Sequence, residues 1–263
     1  MLQYLSGAAR AYAFFLALFL GAAVGSFLNC AAWRTVHGES FMKGRSHCPK
    51  CGHILGAAEL VPVFGWVFLR GRCKACKKPI SVRYPLTELG FALITLACLL
   101  RFDVSVLFAR NIIFLACLYF LSLTDLEAMV IPDGCLIVAA LAWAAAEPFI
   151  ASSWAEAGLS VASGLVYGGV LLVLSLIMER VRGKEALGGG DIKLFAVVGL
   201  YLGFVGTLFA LLLSCVVGLL FALLLRAKRA QPFAFGPAIA LSTAVMLLWG
   251  DGLVNWYLSL LGF

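Results

Sequence analysis

Charge is what this chain has least of. Asp and Glu number 13, His 3, and charged residues of every kind make up 13% of the 263. That rules out an ordinary soluble domain, where about a quarter of the residues carry charge. H-E-x-x-H is absent. There is no serine-nucleophile motif, no Walker motif and no dinucleotide fingerprint. A basic leader is missing too. Only Arg10 precedes the first apolar run, about Ala11 to Trp33, and that run is too long for the core of a signal peptide. It reads as a retained span.

What is present is apolar length. Hydrophobic residues make up 63% of the chain, and they fall in runs that indicate an all-α, polytopic membrane protein. Further runs cover about 84–100, 106–124, 134–154, 157–178 and 237–258. Residues 194–225 are uncharged throughout. One crossing helix needs about 20 residues and two need roughly 40. The run is therefore either one long tilted helix or a tight hairpin broken near Gly203 and Gly206.

Loop charge decides between the two. With a hairpin, the loops at 34–83, 179–193 and 226–236 share one side of the membrane and hold 17 of the 20 Lys and Arg. Arg10, Arg101 and Arg110 are left opposite. The positive-inside rule favours this arrangement. The expectation is about eight transmembrane helices, both termini outside and one large cytoplasmic loop. The expected division is a first span at 1–33, a loop domain at 34–83 and a transmembrane core at 84–263. The net charge of +7 suits contact with membrane lipid and is poor evidence for nucleic-acid binding, which is not expected.

The large loop carries two C-x2-C pairs, Cys48 with Cys51 and Cys73 with Cys76. Each pair makes a tight turn that aims two thiolates at one tetrahedral ion. Four thiolates leave no open position, so the expectation is a structural zinc. Such an ion would fold a loop too small to hold a core of its own. A disulfide or redox pair is the rival reading, and a cytoplasmic setting weakens it. His47 and His53 could replace a ligand, although four cysteines suffice. Cys30, Cys98, Cys117, Cys135 and Cys215 fall in or near spans and read as small packing residues.

Few acids lie at membrane depth. Asp125 closes the third span, Asp133 opens the fourth and Asp191 opens the sixth, and the charge rule puts all three at the cytoplasmic edge. Asp133 follows Pro132 and reads as a helix N-cap. Asp191 could be a cap too, but the three glycines before it exceed what a cap needs. Asp125 ends a helix, where the dipole disfavours a negative charge. Two facing carboxylates in a low-dielectric cleft share a proton, so one can act as base and the other as acid against a peptide bond. Ion or proton translocation through the same acids is the main rival.

The residues also carry a resemblance. "GSFLNC" at 25–30 with Arg34, the two C-x2-C pairs, "ISVRYPLTELGFAL" at 80–93, "DLEAMVIPD" at 125–133, "GGGDIKLFAVVGLYLG" at 188–203 and "PFAFGPAIA" at 232–240 occur in order. Together they resemble the bacterial type IV prepilin peptidases, membrane aspartyl proteases with a G-x-G-D motif. The resemblance implies that Asp125 and Asp191 are catalytic and that 84–263 is a protease core. Asp133 would occupy a recurrent family position without a catalytic role. It also implies cleavage of the basic leader from type IV prepilins and type II secretion pseudopilins at the cytoplasmic face of the inner membrane. Methylation of the new N-terminus with S-adenosylmethionine is implied as well, associated with the cysteine loop.

Three further expectations concern single residues. Lys193 could hold substrate or anchor the helix at the surface by snorkelling. Glu88 is expected to pair with Arg83. Gly21 and Gly25 form G-x-x-x-G, which could serve a homodimer or, as the better reading, helix packing within the chain. A membrane thiol oxidoreductase would need its cysteines on the oxidising side, which the charge rule denies.

Overall fold

The computed structural model describes every residue except 1, 5, 41–43, 49, 184–186, 225–233 and 261–263. Pro49, Lys184 and the basic residues at 226–229 therefore lie outside the described residues. Among the described residues eight α-helices follow in order: α1 Gly7–Val36, α2 Phe64–Phe68, α3 Arg83–Phe102, α4 Val106–Ala128, α5 Asp133–Ile150, α6 Trp154–Arg182, α7 Gly189–Leu224 and α8 Gly236–Leu260. No strand occurs among the described residues; the pairings His47 with Ile54 and Arg72 with Pro79 are isolated bridges. All helices but α2 are long and apolar enough to cross a membrane. The chain forms two compact units, Met1–Phe108 and Ala109–Phe263.

In the first unit α1 begins at Ser6, whose hydroxyl accepts from the Ala9 N–H at 3.3 Å, as an N-cap should. It packs antiparallel on α3 through its two glycines. A Cβ at Gly21 would lie 2.6 Å from Thr95 Oγ1 and 2.9 Å from Ala92 Cα. One at Gly25 would lie 3.1 Å from Glu88 Cα. The G-x-x-x-G face is thus filled by α3 of the same chain, as the intramolecular reading holds. Small residues let apolar helices approach closely where no hydrophobic effect drives them together.

The second unit answers the hairpin question. Gly203 within α7 has φ 62° and ψ −170°, a non-helical break in a region essentially restricted to glycine. Before the break, α7 runs antiparallel to α6: Gly199 meets Gly164, and Ala196 meets Gly168. After it, Phe209 stacks edge-on with Tyr257 and Gly218 sits against Phe235 and Ala238, so this half runs antiparallel to α8. Gly236, at the start of α8, touches Asp125, and Asp125 lies within electrostatic reach of Asp191. Both ends of α7 therefore lie at one edge of the bundle, and the chain reverses at Gly203. The seven candidate spans count α7 once; read at the break it is two helices, as the hairpin expectation requires.

Arg110, counted on the side opposite the basic loops, is a buried residue of the expected 106–124 span. It lies in α4, 9% exposed, and donates to Glu147 of α5 at 3.1 Å and to Asn111 Oδ1 at 3.2 Å. Its guanidinium also lies over the Tyr201 ring at 5.2 Å. A helix-forming apolar run tolerates an arginine only when it is paired, which this cluster does.

Candidate active site

Asp125 lies three residues before the end of α4. It is 5% exposed, and its Oδ2 accepts the Gly236 backbone N–H at 2.8 Å. The first N–H groups of a helix have no partner within that helix, so the start of α8 offers a donor where α4 brings a carboxylate. Gly236 has to be small there: a Cβ would lie 2.8 Å from Asp125 Oδ2.

Asp191 lies in the first turn of α7. Its N–H donates to the Gly188 carbonyl at 3.1 Å, and Gly188 leaves its carboxylate open, with a hypothetical Cβ 3.4 Å from Asp191 Oδ2. Gly190 is pressed on Ile131 of the α4–α5 connection, where a Cβ would come to 2.9 Å from Ile131 Cβ. Gly190 thus lets α7 start against the segment that follows Asp125. The charge of Asp125 acts on Asp191 directly. Half-buried Asp191 and buried Asp125 thus lie near enough for the charge of one to act on the other.

Asp133 is not the N-cap expected of it. Pro132 occupies the cap without a side-chain bond, and Asp133 is the first residue of α5. Its two oxygens receive Lys193 Nζ at 2.9 and 3.0 Å. Lys193 is thereby tied to α5. Both side chains are mostly exposed, at 58% and 61%, so the bridge contributes at most about 1 kcal/mol. The sequence reading missed the Gly236 N–H as the partner of Asp125. The Gly236-Pro237 pair opening an apolar run was the available signal, since proline favours a first helical turn.

In the first unit the four cysteines come together: Cys48, Cys51, Cys73 and Cys76 place their Sγ atoms within 4.8 Å of one another. The two halves repeat one another. The Cys48 N–H donates to the His53 carbonyl and the Cys73 N–H to the Lys78 carbonyl, each five residues on, both at 2.9 Å. The N–H of the fourth residue on, Gly52 or Lys77, returns to the cysteine carbonyl with positive φ. Tetrahedral zinc with bonds of about 2.3 Å separates its sulfurs by about 3.8 Å, and Cys51 and Cys73 Sγ stand 3.9 Å apart. The Cys76 and Ala75 N–H groups pull the Cys73 thiol down against the effect of burial. Cys51, despite the His53 N–H, is pushed up by burial and by its neighbours in the cluster, so the four thiols do not all lose their protons easily without a metal to replace them. His53 is not a ligand here; its Nε2 lies 3.1 Å from Glu59 Oε2. Glu88, in α3, accepts the Val63 N–H at 2.6 Å.

Fold and site define a polytopic α-helical membrane protein with one buried and one half-buried aspartate at one edge of its second unit and a tetracysteine cluster in its first. Residues 19–102 match the bacterial peptidase A24 N-terminal domain, and residues 112–223 match the type IV leader peptidase family. The chain is 33% identical over 246 residues to a prepilin leader peptidase/N-methyltransferase of Bacillus subtilis, covering 91% of this chain and 96% of that one. It is 34% identical over 280 residues to one from Pseudomonas putida, covering 96% of each. It is 34% identical over 224 residues to one from Aeromonas hydrophila, covering 84% and 77%. No solved structure matches the chain. The chain belongs to the type IV leader peptidase family.

Proposed function

We propose that this chain cleaves the leader from prepilins and pseudopilins and methylates the new N-terminus, with Asp125 and Asp191 as the cleaving pair. One observation carries the assignment. Asp125 is buried, held at Oδ2 by the Gly236 N–H, and lies within electrostatic reach of Asp191, with glycines at 188, 190 and 236 beside the two carboxylates. The ionised carboxylate takes a proton from water as its oxygen attacks the scissile carbonyl carbon. The protonated partner supplies a proton as the C–N bond breaks and the amine leaves. Glycine at 188, 190 and 236 leaves room for an extended peptide backbone to approach.

Transport is less well supported by the same residues. A translocation path places its acids near mid-membrane on broken helices, whereas here the break at Gly203 lies one helix length away from both aspartates. The tetracysteine cluster fits a structural zinc, which would lock the two knuckles together. S-adenosylmethionine would supply the methyl group. Loop charge supports placement in a bacterial inner membrane with aspartates and knuckles on the cytoplasmic side.

The test is leader cleavage of a model prepilin by membranes bearing each variant. Asp125→Asn and Asp191→Asn are expected each to lower the rate by at least about 10³-fold, the scale of losing acid–base chemistry. Asp133→Asn should stay within about threefold of wild type, since its exposed bridge contributes little. Normal cleavage by either of the first two variants would refute the pair.

A further inference from the structure

The tetracysteine segment carries a second feature that leader cleavage does not use. Residues 69–79, "LRGRCKACKKP", hold five cations and no acid. Arg70, Arg72, Lys74, Lys77 and Lys78 are all exposed. Arg70, Arg72, Lys74 and Lys77, with Leu69 and Cys73, line a concavity of about 370 Å³. Among the described residues Lys74 lies near Glu59, whose carboxylate is already engaged by the Gly56 N–H at 2.8 Å and by His53 at 3.1 Å. The lining of the concavity thus carries four cations and no acid.

Beside it stands α2. Phe64, Val67 and Phe68, spaced i, i+3 and i+4, share one face, and all are exposed, Phe68 by 80%. The opposite face is anchored. Gly65 is buried against Glu59, and Trp66 donates from Nε1 to the Ile80 carbonyl at 3.1 Å. The apolar face therefore points away from its own unit by construction. Its height is also fixed. Val63, next to α2, donates to Glu88 at 2.6 Å, and Glu88 is five residues into α3, about 7.5 Å beyond its start. A short helix tied to the first turns of a membrane span lies at the level of the lipid headgroups.

We propose that this surface binds the membrane itself: an anionic phospholipid seats its phosphate among Arg70, Arg72, Lys74 and Lys77 while Phe64, Val67 and Phe68 enter the acyl boundary. Each half matches one part of the ligand. Cations near a bilayer surface attract anionic headgroups, and basic pockets beside spans hold their phosphates. Aromatic and aliphatic side chains on the adjoining face take the apolar boundary. Neither half depends on the aspartate pair.

The experiment uses the full-length protein in nanodiscs containing a photoreactive phosphatidylglycerol or its phosphatidylcholine counterpart, with crosslinks mapped by mass spectrometry. The phosphatidylglycerol probe is expected to label 60–79, unlabelled phosphatidylglycerol to displace it, and phosphatidylcholine or inorganic phosphate not to. Arg70→Gln with Arg72→Gln and Lys77→Gln should cut labelling at least about tenfold, given a several-fold gain per surface cation, while bound metal stays at wild-type content. Raising salt should release the lipid from the wild type, a readout independent of any variant. Equal labelling by both lipids overturns the proposal. So does insensitivity to salt, displacement by inorganic phosphate alone, or crosslinking of 60–79 mainly to a second copy of the chain.

Discussion

At the level of single residues, the site depends on what is small as much as on what is charged. Gly236 gives Asp125 a backbone donor at 2.8 Å and leaves no room for a side chain, since a Cβ would stand at the same distance from the carboxylate. Gly236→Ala is therefore expected to push Asp125 out of place and to lower leader cleavage about a hundredfold, the usual cost of a displacement near 1 Å. Purified protein should keep its helical circular dichroism, which separates this from misfolding. The carboxylates themselves were legible because so few acids occur at the ends of apolar runs. Their partners were not. Pro132 suggested a cap at Asp133, but the carboxylate went to Lys193, 60 positions away in the chain. A cap and a distant ion pair leave the same trace in sequence.

At the level of elements, the decisive one is α7. Its first half, 189–202, is 14 residues long, about 21 Å at 1.5 Å per residue. That is short of the roughly 30 Å hydrocarbon core, so Asp191 and Gly203 cannot both lie outside it. The second half is long enough to cross. The break depends on a glycine-only conformation at Gly203. Gly203→Val should destabilise the protein by roughly 1–3 kcal/mol, read as a lower midpoint of thermal unfolding in detergent. An unchanged midpoint would mean the turn is not held there. Sequence length left this run undecided between one helix and two, and the break at Gly203 makes it two. The Arg110–Glu147 pair shows what the loop-charge count leaves open: it set Arg110 on the side opposite the basic loops, within the 106–124 run, and α4 buries it against Glu147. A lone arginine near a run's end can snorkel or be buried, and only its partner distinguishes the two.

At the level of the whole molecule, the knuckles and the topology can be tested together. One zinc per chain is expected by elemental analysis, and Cys73→Ser should lose it, because three thiolates and a weak hydroxyl no longer complete the tetrahedron. Full metal content in that variant would remove Cys73 from the ligand set. Reporter fusions at residues 60 and 150 should report opposite faces, the first cytoplasmic. Same-side signals would refute the orientation drawn from loop charge.

The sequence by itself determined the apolar helices and the cysteine knuckles and singled out the two aspartates as candidates, because each leaves a local mark. Apolar length, C-x2-C spacing and an acid at the end of a hydrophobic run need no knowledge of what lies across the bundle. Only the tertiary structure decided what those residues touch: α3 filling the small face of α1, the Gly236 N–H on Asp125, Lys193 on Asp133, and Val63 holding α2 to Glu88. The physical reason is one of range. Hydrophobicity and turn chemistry act along the chain, whereas the hydrogen bonds and close approaches that shape a site join residues that folding alone brings together.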